Sequence, residues 1–174
     1  NIDPNRQYVT GLSNGGLGTW EAITKVPGRF AAAVPICANY TPSAQTAELL
    51  VDTPIWVFHA RDDNSGTNPV SYSRNAVNRI LVAGGYHEVK FPLDQPDGVD
   101  YFDGSPYYET GYATFLEINN IRYTEYVTGG HNIWGRAYRE EPLYEWMFSQ
   151  AIPEPTFVGW LILASAGILR RQRH

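Results

Sequence analysis

A single cysteine, Cys37, stands among 174 residues, so no disulfide can form within the chain and no Cys-rich metal site is available. Basic residues are also scarce, 13 against 18 acidic, and the net charge of −5 with a pI near 5.3 argues against a surface that binds nucleic acid. Glycine and proline, 16 and 12 residues, fall short of a low-complexity composition, and no repeat of solenoid length is present. What is present is a folding sequence, 43% hydrophobic and of a length that suits one domain with a real core. Its charge is uneven: residues 152–174 hold one acid and three arginines, which leaves the preceding residues at −7. The first residue is Asn1 rather than Met, which fits a fragment or a processed product.

The apolar runs alternate in type. Residues 7–11 are β-branched and aromatic and end in a glycine cluster, which predicts a buried strand stopping at a sharp turn. Asn14–Val26 has Leu17, Trp20, Ala22 and Ile23 spaced for one helical face, and Pro27-Gly28 closes it. Phe30–Cys37 is a continuous apolar run, suited to a strand covered on both faces. A helix over Ser43–Leu50, a strand at Ile55–His59 and a helix over Val70–Ala83 follow, then a strand at Ile121–Val127 and a helix over Ile133–Phe148. Such alternation predicts an α/β fold, a mostly parallel sheet with helices on both faces. Gly84–Asn120 breaks the rhythm and reads as an insertion, about residues 85–120, rich in Pro, Gly, Asp and Tyr.

Gly11-Leu12-Ser13-Asn14-Gly15 fits G-x-S-x-G between a predicted strand and a predicted helix. A bare pentapeptide of this kind is an ordinary turn with a capping serine; the strand-turn-helix setting is what makes it a nucleophile elbow. The tight turn forces Ser13 into a strained backbone, so the flanking positions must be small, and it aims the helix dipole and the Asn14 N–H at a developing oxyanion. A serine needs a histidine held by a carboxylate. His131, in Gly129-Gly-His-Asn-Ile-Trp134, follows the last predicted strand and is the candidate base, and the loop after His59 offers Asp62 and Asp63 as the acid.

In this order Tyr8–Gly16, Ile55–Asp63 and Gly129–Trp134 resemble the serine, acid and histidine motifs of the carboxylesterase branch of the α/β-hydrolases, over residues 1–150. The branch includes phospholipase/carboxylesterase, feruloyl-esterase-like and polyhydroxybutyrate-depolymerase-like enzymes. The resemblance implies Ser13 as nucleophile, His131 as general base and Asp63 as acid, with Asp62 as the fallback. It further implies a small-molecule or polymer-linked ester as substrate and no cofactor. The chain departs from it at Ala60, where His-Gly is usual, and over Asn64–Pro69, where the usual ending is Val-Pro. A prolyl-oligopeptidase-like peptidase shares the same motifs, and a non-catalytic surface-binding protein on this scaffold is the alternative from another class. Relatives carry a second oxyanion donor and the first strands upstream of the serine. The chain is therefore expected to be the carboxyl-terminal half of a larger hydrolase, with the strand at residues 7–11 unpaired on one edge and the isolated residues inactive.

Tyr101, Phe102, Tyr107, Tyr108 and Tyr112 in the insertion suit either stacking on a sugar or phenolic acid or packing among themselves. Asp94, Asp97, Asp100 and Asp103 lack the alternating ligands and glycine of a calcium loop, and His59, His87 and His174 are too scattered for zinc, so no metal is assigned. Cys37 is expected to be a buried thiol.

Pro153-Glu-Pro155 introduces fourteen uncharged residues, 156–169, and then Arg170-Arg-Gln-Arg173-His174. As a helix the apolar stretch spans about 21 Å, shorter than a bilayer core. The order of parts in 151–174 resembles the PEP-CTERM sorting signal of Gram-negative bacteria. That resemblance implies a sorting protease of exosortase type as partner, transient anchoring in the membrane through residues 156–169, and export to the cell envelope or exterior.

Overall fold

The computed structural model describes residues 2–93 and 113–153. Five strands form one sheet: β1 (Tyr8–Leu12), β2 (Ala32–Ile36), β3 (Ile55–Ala60), β4 (Ala113–Ile118) and β5 (Ile121–Tyr126), in the order β1-β2-β3-β5-β4. All neighbours are parallel except the β4–β5 hairpin. The helices are α1 (Asn14–Lys25), α2 (Ala44–Glu48), α3 (Ser71–Ala83), α4 (Trp134–Ala137) and α5 (Glu141–Ser149). This is the mostly parallel α/β sheet with flanking helices that the alternation predicts.

Two apolar layers explain the continuous runs. Along β2 and β3, Ala33, Ile55 and Val57 pack with Trp20 and Ile23 of α1, Ala47 of α2, and Val77 and Ile80 of α3. Ala32, Val34, Trp56 and Phe58 point the other way, onto Leu143 and Met147 of α5. Successive side chains alternate between faces that are both covered, so every residue of these strands must be apolar or internally bonded. Trp56 is fully buried, donates its indole N–H to Thr124 Oγ1 at 2.9 Å, and meets Phe115 and Trp146 edge-on. On α1 the buried face is Gly16, Thr19, Trp20 and Ile23, with Leu17 and Ala22 only half-buried, a shift from the spacing-based face.

One charge is buried under α3. Glu125 of β5 accepts from Arg74 Nε (2.7 Å) and Nη2 (2.8 Å), Arg61 Nε (2.7 Å) and the Tyr123 hydroxyl (2.7 Å). Burial pushes its carboxyl up, but the donors from Arg74, Tyr123 and Arg61 outweigh it and hold it below the usual range.

Two expectations need correction. Residues 113–118, inside the stretch read as an insertion, form β4, joined to β5 by Asn119-Asn120 with Asn119 at φ 52°. The single helix expected over Ile133–Phe148 is two, because Pro142 has no N–H to continue a helix and sits in the first turn of α5 instead. The aromatic and aspartate-rich stretch 94–112 and the sorting-signal residues 154–174 lie outside the described residues. Among those described, no helix is long and apolar enough to cross a membrane.

Candidate active site

The turn between β1 and α1 is built by close approach. A Cβ on Gly11 would lie 2.3 Å from the Gly15 carbonyl oxygen, and one on Gly16 would lie 2.7 Å from that of Ile36. At Gly15 a Cβ would meet nothing within 4 Å, so the small residue that the turn needs on the helix side is Gly16. Ser13 sits between them at φ 56°, ψ −118°, a conformation costly for any residue with a side chain. Its N–H donates to Ile36 O at 2.9 Å, which ties the strained residue to β2, and its carbonyl opens α1 by accepting from Leu17 N–H at 2.9 Å.

Three residues far apart in sequence meet at the carboxyl end of the sheet. Ser13 Oγ is 2.9 Å from His131 Nε2, and His131 Nδ1 is 2.8 Å from Asp63 Oδ2. A carboxylate only accepts, so Nδ1 carries the ring proton and Nε2 is free to accept from the serine hydroxyl. Asp62 is elsewhere: its Oδ1 accepts from Gly130 N–H at 2.8 Å, which fixes the loop that carries His131. Burial pushes the Asp63 carboxyl up, while the hydrogen bonds from His131 and Ser65 outweigh it and leave it below the ordinary value.

Behind the acid lies a network that sequence reasoning missed. His59 is fully buried, and its Nε2 is 2.9 Å from the Asn68 carbonyl and 3.1 Å from Asp63 Oδ2. The carbonyl can only accept, so Nε2 holds the proton and shares it between the two; Nδ1 then accepts from the Ser73 hydroxyl at 2.7 Å. Burial lowers the imidazole's basicity, consistent with this neutral form. Asn68, also buried, places its side-chain Nδ2 3.5 Å from Ser13 Oγ and 3.4 Å from His131 Nε2. Its trace in the sequence is an asparagine within Asn64–Pro69, the stretch that departs from the Val-Pro ending of the motif it resembles.

Cys37, His59 and Asp63 bring a thiol, an imidazole nitrogen and a carboxylate within 4.8 Å of one another, a grouping with metal-ligating atom types. Their chemistry fits a hydrogen-bond cluster better. His59 Nε2 carries a proton toward two acceptors, and burial, reinforced by Asp63, pushes the Cys37 thiol up to about 12, so it is protonated at neutral pH. Cys37 is the buried thiol expected from the sequence.

No protein-family model and no curated relative matches the chain. Among solved structures it is similar to a thermostable esterase, with a TM-score of 0.61 and 34% identity over 87% of this chain and 32% of the esterase. Two structures of single-residue variants of SOBER1 from Arabidopsis thaliana each align with a TM-score of 0.53 and 15% identity, covering 84% of this chain and 54% of theirs. The chain thus spans about a third of the esterase and about half of SOBER1. The architecture is that of an α/β-hydrolase-like fold.

Proposed function

We propose that the protein carrying this chain is a serine hydrolase that cleaves carboxylic esters. The observation that carries the reading is the continuous run from Ser13 Oγ through both nitrogens of His131 to Asp63, at 2.9 and 2.8 Å, on a strained strand-to-helix turn. The 34% identity to an esterase supports it.

In the proposed reaction Ser13 Oγ attacks the ester carbonyl and passes its proton to His131 Nε2, while the Asn14 N–H at the start of α1 faces the oxyanion. The carbon–oxygen bond to the leaving alcohol breaks, and that oxygen takes the proton from His131. Water then gives a proton to His131 and attacks the acyl-serine; Ser13 departs as the acid forms and regains its proton. Asp63 stays ionised throughout and stabilises the imidazolium.

Replacing Ser13 with Ala in the intact protein tests this: aryl-ester hydrolysis is expected to fall to background with the fold unchanged by circular dichroism. A variant as active as the parent would make the assignment wrong. Parallel ester and peptide panels identify the acyl donor. We also propose, on the order of parts in residues 153–174, that the tail is a sorting signal cut by an exosortase-type protease; a cytosolic product with its tail intact, on fractionation of the host, would remove that proposal.

A further inference from the structure

The geometry points to Asn68 as a further catalytic residue, one that donates a hydrogen bond to the nucleophile as its proton leaves; this rests on the serine-hydrolase reading above. A buried carboxamide must find partners, and those of Asn68 Nδ2 are Ser13 Oγ at 3.5 Å and His131 Nε2 at 3.4 Å. In the resting state the serine hydroxyl donates to His131, so the Oγ lone pairs are what the Asn68 N–H can reach. As the proton moves from Oγ to Nε2, negative charge grows on Oγ and the contact strengthens. It is worth more in the transition state than before it, which is the condition for accelerating the step. Asn68 gives up no proton and forms no bond.

The loop around it is organised to hold that amide in place. Pro69 disfavours a helical backbone at Asn68. The Asn68 N–H donates to Ser65 Oγ at 3.2 Å, and Ser65 N–H in turn donates to Asp63 Oδ1 at 3.0 Å. The Asn68 carbonyl accepts the same His59 N–H that reaches Asp63 Oδ2. One buried imidazole therefore fixes two residues that bear on His131, Asp63 at Nδ1 and Asn68 at Nε2. His59 is a positioning residue for both. Among the described residues, the titratable groups bonded to the pair or to the loops that carry it are Asp63, on His131 itself, His59, on Asp63 and the Asn68 carbonyl, and Asp62, on the Gly130 N–H.

The test is the second-order rate at which a fluorophosphonate labels Ser13 in the intact protein, measured across pH for the parent, Asn68→Leu and Asn68→Asp, with the labelled peptide identified by mass. Asn68→Leu should label roughly three- to tenfold more slowly, the rate equivalent of one ordinary hydrogen bond. Asn68→Asp, nearly isosteric, should label more slowly and also move the acid limb of the profile up by about one pH unit, because a carboxylate at Nε2 favours the protonated ring. A role confined to packing would leave that limb in place. If Asn68→Leu fails to fold, Asn68→Asp decides alone. Parent-like rates in both variants, or an unmoved limb in Asn68→Asp, overturn the assignment while leaving the serine-hydrolase reading intact. A parent that takes no label at Ser13 sinks that reading, and this assignment with it.

Discussion

Asp63→Asn is the sharpest single perturbation of the proposed site. The carboxylate accepts at both oxygens: Oδ2 from His131 Nδ1 (2.8 Å) and from His59 Nε2 (3.1 Å), Oδ1 from the Ser65 N–H (3.0 Å). An asparagine has one acceptor oxygen and one NH2, so it cannot serve both sides. With its oxygen kept on Ser65, the NH2 faces two N–H donors, and His131 relieves the clash by moving its proton to Nε2, where it can no longer accept from Ser13. With the amide turned over, the tautomer survives but the imidazolium loses its counter-charge. At an effective dielectric constant of 20, opposite charges about 4 Å apart attract by about 4 kcal/mol, which alone is about a thousandfold in rate. The wrong tautomer takes the loss toward about 10⁴-fold. The assay is kcat for an aryl ester in the intact protein, with thermal unfolding as the control for folding. A folded variant that loses less than about thirtyfold would refute the claim that Asp63 orients and balances His131.

Three further outcomes follow from the packing. Glu125→Gln should destabilise the fold by about 3 kcal/mol near pH 7, because it leaves Arg61 and Arg74 facing a neutral group. The Glu125 carboxyl is held low in the folded state, so its contribution is present above the ordinary value of about 4.3 and is lost as pH falls through the lower folded one. Denaturation midpoints of parent and variant should therefore converge on acidification; a constant gap down to strong acid would contradict the buried ion-pair account. Gly16→Ala should cost about 1 to 3 kcal/mol through its overlap with Ile36 O, whereas Gly15→Ala, with open space around it, should leave stability at or above the parent's by chemical denaturation; equal losses would mean the turn is packed differently. Cys37, fully buried and with its thiol pushed up to about 12, should resist a thiol reagent in the native protein and react stoichiometrically once it is unfolded; rapid native labelling would deny that burial.

The strands of the core were legible because burial on both faces leaves an unbroken apolar run, as in Ala32–Ile36 and in Ile55–Phe58 ahead of His59. The elbow was legible because its constraint is local: a glycine at 11 admits a carbonyl that a side chain would exclude. β4 is masked in the sequence by the tyrosine- and glycine-rich residues before it, although Thr114, Phe115, Leu116 and Glu117 lead toward a two-residue Asn-Asn turn. The break between α4 and α5 is signalled by Pro142, but the apolar periodicity runs on across it and masks it. The meeting of Asn68 with Ser13 and His131 had no comparable signal. It depends on how residues 64–69 fold back over a buried histidine, a long-range outcome that no spacing in the sequence encodes.

Ser13 follows β1 and His131 follows β5, and two strands, β2 and β3, lie between β1 and β5. At about 4.8 Å per strand, their parent strands are about 14 Å apart. Their side chains nevertheless touch at 2.9 Å, so the loop from β5 must arch back across the ends of both intervening strands. The arch is held at Gly130 by the Asp62 carboxylate and at the next residue, His131, by Asp63. A bridge of that span yields before the piers beneath it. Loosening of either anchor parts the serine from the histidine while all five strands remain paired, so heat should silence the chemistry at a temperature where the sheet still gives its full native spectrum.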